Sequence, residues 1–260
     1  MAEPIDASQP LRTEFQETVS GEVLYDGDDG YDDARRVWNA RFDARPTVVV
    51  RPADSGDVAY AIRAARESGL TLSVKGGGHA YAGNTVAEGG LLLDMGSMRR
   101  VEVDVDAGIA RIQAGATWAD VDRATTPHGL ATPGGTVSSV GVAGFVLGGG
   151  GGWLTRSYGM AVDNLVAARM VTAEGDEVVA SEDEDPELLW GLRGGGGKYG
   201  VDTEYHLRLH PIPGTMLAGQ VLYPLPRAGD LHSFYRDTLR EAPEALAAYP
   251  CLIRITTRPL

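Results

Sequence analysis

Three stretches of this chain nearly dispense with side chains. The most constraining is Val74-Lys75-Gly76-Gly77-Gly78-His79-Ala80-Tyr81-Ala82-Gly83, which sets one imidazole in a glycine bend directly after a β-branched, apolar segment. A second runs from Thr132-Pro133-Gly134-Gly135-Thr136 through Gly141-Val142-Ala143-Gly144 to the glycines Gly148 to Gly152, and a third is Gly194 to Gly197. Glycine loses more chain entropy on folding than any other residue, so this density is explained where a backbone must come very close to something else. Successive N–H groups in such a bend form a concavity for an anion, and a pyrophosphate is one that fits.

The pattern around the bends is that of a mixed α and β protein. Thr47 to Arg51 is a short β-branched run, Asp54 or Ser55 caps a helix through Val58, Ile62 and Ala65 that ends at Gly69, and Leu70 to Val74 is the next strand. This strand, helix, strand unit opens straight into the first bend, where α/β architectures place ligands. Asp33 to Phe42 is patterned as a helix that Pro46 stops. Leu91 to Asp94 reads as a buried strand, Arg100 to Val105 and Ile109 to Ala114 as a hairpin, and Thr117 as the cap of a helix to about Thr126. A further hairpin spans Leu165 to Thr172 and Glu177 to Ala180; Pro186 to Leu192 is a short helix and Asp202 to Leu209 a strand. Prolines at 211, 213, 224 and 226 then change the texture. The fold class expected is α+β, with an N-terminal segment at 1–45, a ligand-binding domain at 46–212 in two subdomains of about 46–100 and 101–212, and the opening of another domain at 213–260.

Composition excludes several functions. A formal charge of −13 makes nucleic acid an unsuitable partner. No apolar run approaches the roughly 18 residues that span a bilayer, and Met1-Ala2-Glu3-Pro4 does not open a signal peptide, so a cytoplasmic protein without a membrane partner is expected. Lys75 and Lys198 are the only lysines among 23 basic residues, an acidic, lysine-poor balance that suits high salt. Cys251 stands alone and reads as a small buried hydrophobe. His128, His206, His210 and His232 lack the paired spacing of a metal site and read as structural.

Neither familiar glycine fingerprint applies. Gly-x-Gly-x-x-Gly starting at Gly148 ends on Trp153, and starting at Gly149 on Leu154; a P-loop ending at Gly197-Lys198 would open on Leu192 and place Tyr199 where a hydroxyl should bind metal. The bends taken together, with Arg45-Pro46-Thr47-Val48-Val49-Val50-Arg51-Pro52, Tyr158-Gly159-Met160-Ala161-Val162-Asp163-Asn164 and Leu189-Trp190-Gly191-Leu192-Arg193, instead resemble a known family. It is the FAD-binding domain of flavoproteins related to vanillyl-alcohol oxidase and p-cresol methylhydroxylase (PCMH-type), nearest the berberine-bridge-enzyme-like branch. The likeness runs from about residue 21 to 212.

That resemblance implies a site. Lys75, Gly76, Gly77, Gly78, His79 and Ala80 would form the pyrophosphate and flavin loop, with the His79 imidazole bonded to the flavin 8α carbon. Gly141, Val142, Gly144, Gly148, Gly149 and Gly150 would lie against the flavin and ribityl chain, and Val201 on the adenine side. Doubly linked relatives carry a cysteine in the stretch that here reads Gly135-Thr136-Val137-Ser138-Ser139, so the singly linked type is expected. Lys198-Tyr199 replaces the usual Asn-Phe. The implied function is an FAD-dependent oxidoreductase that takes a hydride from a small alcohol, sugar or amine and passes electrons to oxygen or another acceptor. No catalytic base can be named, Tyr81 and Tyr158 being better suited to aromatic packing. The alternative is a non-catalytic FAD-binding remnant.

Overall fold

A computed structural model describes residues 8–253. After helix α1 (Ser8–Thr18), strands β1 (Glu22–Leu24), β2 (Val48–Arg51), β3 (Leu72–Lys75) and β4 (Leu91–Asp94) form a sheet in the order β1-β2-β4-β3. β4 runs parallel to both β2 and β3 and lies between them. Parallel strands are covered on both faces, which is why Val48 to Val50 and Leu91 to Leu93 are unbroken apolar runs, all fully buried. Helix α3 (Ser55–Glu67) makes the crossover from β2 to β3. The Asp54 carboxylate caps it by accepting the Asp57 N–H at 3.1 Å, and the buried Asp57 accepts the N–H groups of Ser20, Gly21 and Ala53, tying the early chain to the helix.

The second sheet is antiparallel. Strands β5 (Val101–Asp104), β6 (Ile109–Gln113), β8 (Leu165–Val171), β9 (Glu177–Ser181) and β10 (Val201–Arg208) take the order β5-β6-β10-β8-β9, with β10 central and bulged between Asp202 and Glu204. Short β7 (Leu130–Ala131) pairs with β11 (His210–Pro211). Helix α4 (Trp118–Thr125) starts with a reciprocal cap between Thr117 and Asp120; α5 (Val142–Leu147) and α6 (Thr155–Tyr158) follow glycine segments, and α7 (Pro186–Gly195) runs into the third. A single apolar core contains Val48, Leu91, Ile112, Leu189 and Tyr205, so both sheets close on the same interior.

Most elements fall where their caps and periodicity place them, and two expectations need correction. The helix foreseen over Asp33 to Phe42 is only α2 (Tyr31–Arg35); Arg36 is already extended, and the Trp38 N–H turns to the Gly78 carbonyl instead of continuing a helical ladder. Cys251 is exposed rather than buried. Beyond β11, residues 213–253 include α8 (Ala228–Glu241), which buries no residue, and leave Leu217, Val221, Leu222 and Phe234 exposed.

Candidate cofactor site

The first bend leaves the carboxyl end of β3 and meets the second main chain to main chain. A Cβ on Gly77 would lie 2.3 Å from the Gly141 nitrogen, and one on Gly141 would lie 2.4 Å from the Gly77 nitrogen. No side chain fits between them. Gly141 is held there by a bridge to Thr117, with the Val142 N–H on the Ala116 carbonyl at 2.9 Å. Gly76 abuts the Ala114 carbonyl, and the Ala114 N–H donates to Thr203 on β10 at 3.0 Å, so the bend is braced from the antiparallel sheet as well.

The third bend reaches the same place from the other side. The Gly196 N–H donates to Leu147 at the end of α5, and Gly197 faces the Leu147 side chain. The three glycine segments, far apart in sequence, therefore share one region centred on α5 and the first bend.

His79 stands at the rim, half-buried. Its Nδ1 lies 2.9 Å from the Gly77 carbonyl, which can only accept, so the proton belongs on Nδ1; Nε2 is 3.3 Å from the Ser139 hydroxyl. Lys75 is set differently from its neighbours. Its side chain is buried beneath the bend, bonded to the Ala34 carbonyl and 3.4 Å from the Asp94 carboxylate, which also binds Arg51 at 3.0 Å. Burial pushes the Lys75 ammonium below its ordinary value while Asp94 opposes the shift. The Lys75 side chain thus supports the loop from below.

The other expected residues divide by surroundings. Val142 is buried in the core; Gly144 and Gly148 are exposed, and a Cβ on Gly144 would meet nothing within 4 Å. Gly149 and Gly150 have positive φ, and Gly150 lies against the Phe145 ring, which meets Trp118 edge-on beneath the second bend. Ala80 is exposed beside His79. Val201 is in the core at the head of β10, two residues from the Thr203 brace. Tyr158 stacks on His210 and donates to the Pro211 carbonyl, which accounts for it as packing.

An FAD fits the donor set. Among the described residues, the N–H groups of Gly77, Gly78, His79 and Ala80 donate to no protein acceptor, and Gly78 has φ of +67°; free amides in a glycine bend are the donors an anion needs. Trp38 and Phe42, which the sequence did not single out, converge here with Tyr81, whose expected place in aromatic packing is the one it takes. Trp38 stacks on the His79 ring, Tyr81 meets Trp38 edge-on, and the Phe42 ring occupies the space a Cβ on Gly83 would need. The helical spacing of residues 34 to 42 hid this strap.

Comparison with known proteins agrees with the geometry. A family model described as an FAD-binding domain matches residues 46–181. (R)-6-hydroxynicotine oxidase of Paenarthrobacter nicotinovorans is 39% identical over 206 residues, 79% of this chain and 45% of that protein. The crystal structure of 6-hydroxy-D-nicotine oxidase from Arthrobacter nicotinovorans superposes with a TM-score of 0.82 at 38% identity, covering 86% of this chain and 50% of the other. A glucooligosaccharide oxidase from Acremonium strictum, bearing 6-S-cysteinyl, 8α-N1-histidyl FAD, has a TM-score of 0.70 at 33% identity over 76% of this chain and 42% of its own. The chain spans about half the length of the curated relatives it matches. With both its sheets, its joined glycine bends and these likenesses in agreement, the chain belongs to the FAD-binding-domain family of PCMH-type, berberine-bridge-enzyme-like flavoproteins.

Proposed function

We propose that this chain is the cofactor-holding part of an FAD-linked oxidoreductase that removes a hydride from a small alcohol, sugar or amine, with the flavin bonded to His79. The observation that carries it is the contact between Gly77 and Gly141, which joins two glycine bends beside an imidazole at the rim. The Gly77 to Ala80 amides would take the pyrophosphate, the Gly141–Gly150 segment would lie along the flavin, and Val201 would lie toward the adenine. Bound there, FAD supplies the two-electron acceptor; the protein's own part is to orient it, exclude water and hold His79 in a fixed direction. Val137 to Ser139 offer no thiol, which supports a single covalent bond.

Acid precipitation of the purified protein tests the attachment: a yellow pellet is expected. A colourless pellet under a yellow supernatant would remove the bond but leave FAD binding, and protein that takes up no FAD would overturn the reading. Anaerobic mixing with a panel of alcohols, aldoses, oligosaccharides and amines, chosen because relatives oxidise hydroxynicotine and glucooligosaccharides, should bleach the flavin with at least one class. No bleaching across the panel favours the non-catalytic alternative. Re-oxidation by dioxygen then decides between an oxidase and a dehydrogenase.

We also infer a cytoplasmic, high-salt setting. The support is 36 acidic residues against 23 basic ones with two lysines, and a lone exposed Cys251 that suits a reducing compartment. The melting temperature should climb as KCl is raised toward molar concentration; a flat response would return the composition to an acidic mesophile.

A further inference from the structure

Trp38 is left without a task by everything above. It is 59% exposed. Its ring stacks on the imidazole of His79 with centroids 5.8 Å apart and planes 18° from parallel. Its main-chain N–H donates to the Gly78 carbonyl at 3.0 Å, so indole and imidazole extend from two backbones that are bonded to one another. Asn39 reaches the Tyr81 carbonyl at 3.4 Å, and the Tyr81 ring, 78% exposed, meets the edge of Trp38 with centroids 5.5 Å apart. The segment therefore grips the His79 loop on both sides of the histidine.

The two ring nitrogens of His79 already have neighbours in Gly77 and Ser139. Contacts to the nitrogens set the direction of the ring within its own plane; a partner stacked on its face sets the tilt. We propose that Trp38 is a positioning residue for His79, holding the imidazole at the tilt from which a ring nitrogen meets the flavin methyl carbon. Forming that bond breaks one C–H of the methyl group and the N–H of the imidazole. The two protons and two electrons released pass to dioxygen, giving one hydrogen peroxide per linkage. A small error in approach slows such a step steeply.

This inference rests on the His79 linkage proposed above, and one experiment separates their failures. Flavin-free parent, Trp38→Phe, Trp38→Ala and His79→Ala proteins are incubated with excess FAD in air, and acid-stable flavin is followed with time beside the melting temperature of each apoprotein. The parent and Trp38→Phe should link at similar rates, Trp38→Ala about tenfold or more slowly at an unchanged melting temperature, and His79→Ala not at all. The His79 ring-proton resonances, displaced in the apoprotein by the indole, should return to ordinary positions in Trp38→Ala. Linkage of Trp38→Ala at the parent rate would sink the role of Trp38 alone. Equal slowing of Trp38→Phe and Trp38→Ala, with both melting lower, would reduce the indole to a structural part and sink it too. A parent with no acid-stable flavin would remove the linkage and this inference together.

Discussion

At the first glycine bend, the positions a Cβ would take on Gly77 and Gly141 are filled by main chain; at the third, Cβ atoms on Gly194 and Gly196 would meet nothing within 4 Å and one on Gly197 only the Leu147 side chain at 3.8 Å. Both bends are glycine runs in the sequence, yet the first excludes side chains because main chain fills their space, whereas the third has the space and needs glycine at Gly194 and Gly196 for their positive φ of +100° and +75°. The first rests on a buried ionic base of Lys75, Asp94 and Arg51, extended at the surface by Glu22. The third follows α7 into solvent, with Tyr199 packed under Gly191. The lesson is that glycine marks either a close approach or a left-handed backbone, and only the structure tells which.

The contrast breaks hardest at the base of the first bend. Asp94→Ala leaves the buried Lys75 ammonium without its carboxylate, Arg51 keeping only Glu22, and loss of about 3 to 5 kcal/mol is expected from removing one partner of a buried pair. Denaturant unfolding measures it, and a loss under 1 kcal/mol would mean that the network behaves like a surface pair. Gly141→Ala comes next. Its methyl group has nowhere to go without parting Gly77 from Gly141 or Val142 from Ala116, so about 3 kcal/mol, the upper end of overpacking, is expected together with loss of FAD uptake. Normal stability and FAD uptake in that variant would show that the two bends separate freely.

Between the two regions sits Asp202, just past the third bend on β10, and it gives a test in pH. Burial pushes its carboxyl up from 3.8 to about 6, the neighbouring Tyr205 hydroxyl opposing, and one carboxylate oxygen has no partner. Because the folded state holds the proton more tightly than the unfolded chain, the contribution of Asp202 to stability is most favourable below about pH 4, falls as pH rises to about 6 and is flat above, a change of about 3 kcal/mol from this group. Asp202→Asn should abolish that slope and be the more stable protein at pH 8. An unchanged profile would show that Asp202 finds water or a cation when ionised.

Much of this contrast was readable beforehand. The caps at Asp54 and Thr117, the stop at Gly69 and the apolar runs at 48 to 50 and 91 to 93 act locally, and they placed α3, α4, β2 and β4. The bends were visible as composition because glycine is the residue whose presence states a steric fact. Trp38 was hidden because Ala34, Val37 and Trp38 share the spacing of a helix face, while the hydrogen bond that pulls Trp38 away comes from Gly78, forty residues on. The insertion of β4 between β2 and β3 is likewise long-range, and nothing in Leu91 to Asp94 names its neighbours. Asp202 was missed because a charged residue in an alternating strand is ordinarily on the wet face; the bulge beside it changes which face it takes.

The smallest expected effect decides most about the third bend. Gly197 has no positive φ, unlike Gly194 and Gly196, and ample room for a methyl group, so the apoprotein gives no reason for glycine there. Gly197→Ala should change the stability of the flavin-free protein by no more than about 0.5 kcal/mol. If the glycine is kept because the cofactor lies on that backbone, the same methyl group should weaken FAD binding at least about tenfold, since bound FAD could not retreat from a braced main chain as a flexible side chain would. Flavin uptake measured by fluorescence quenching, beside thermal melting of the apoprotein, reads both quantities. Equal affinity in the two proteins would confine the cofactor to the first and second bends and leave the third as a surface turn packed on α5.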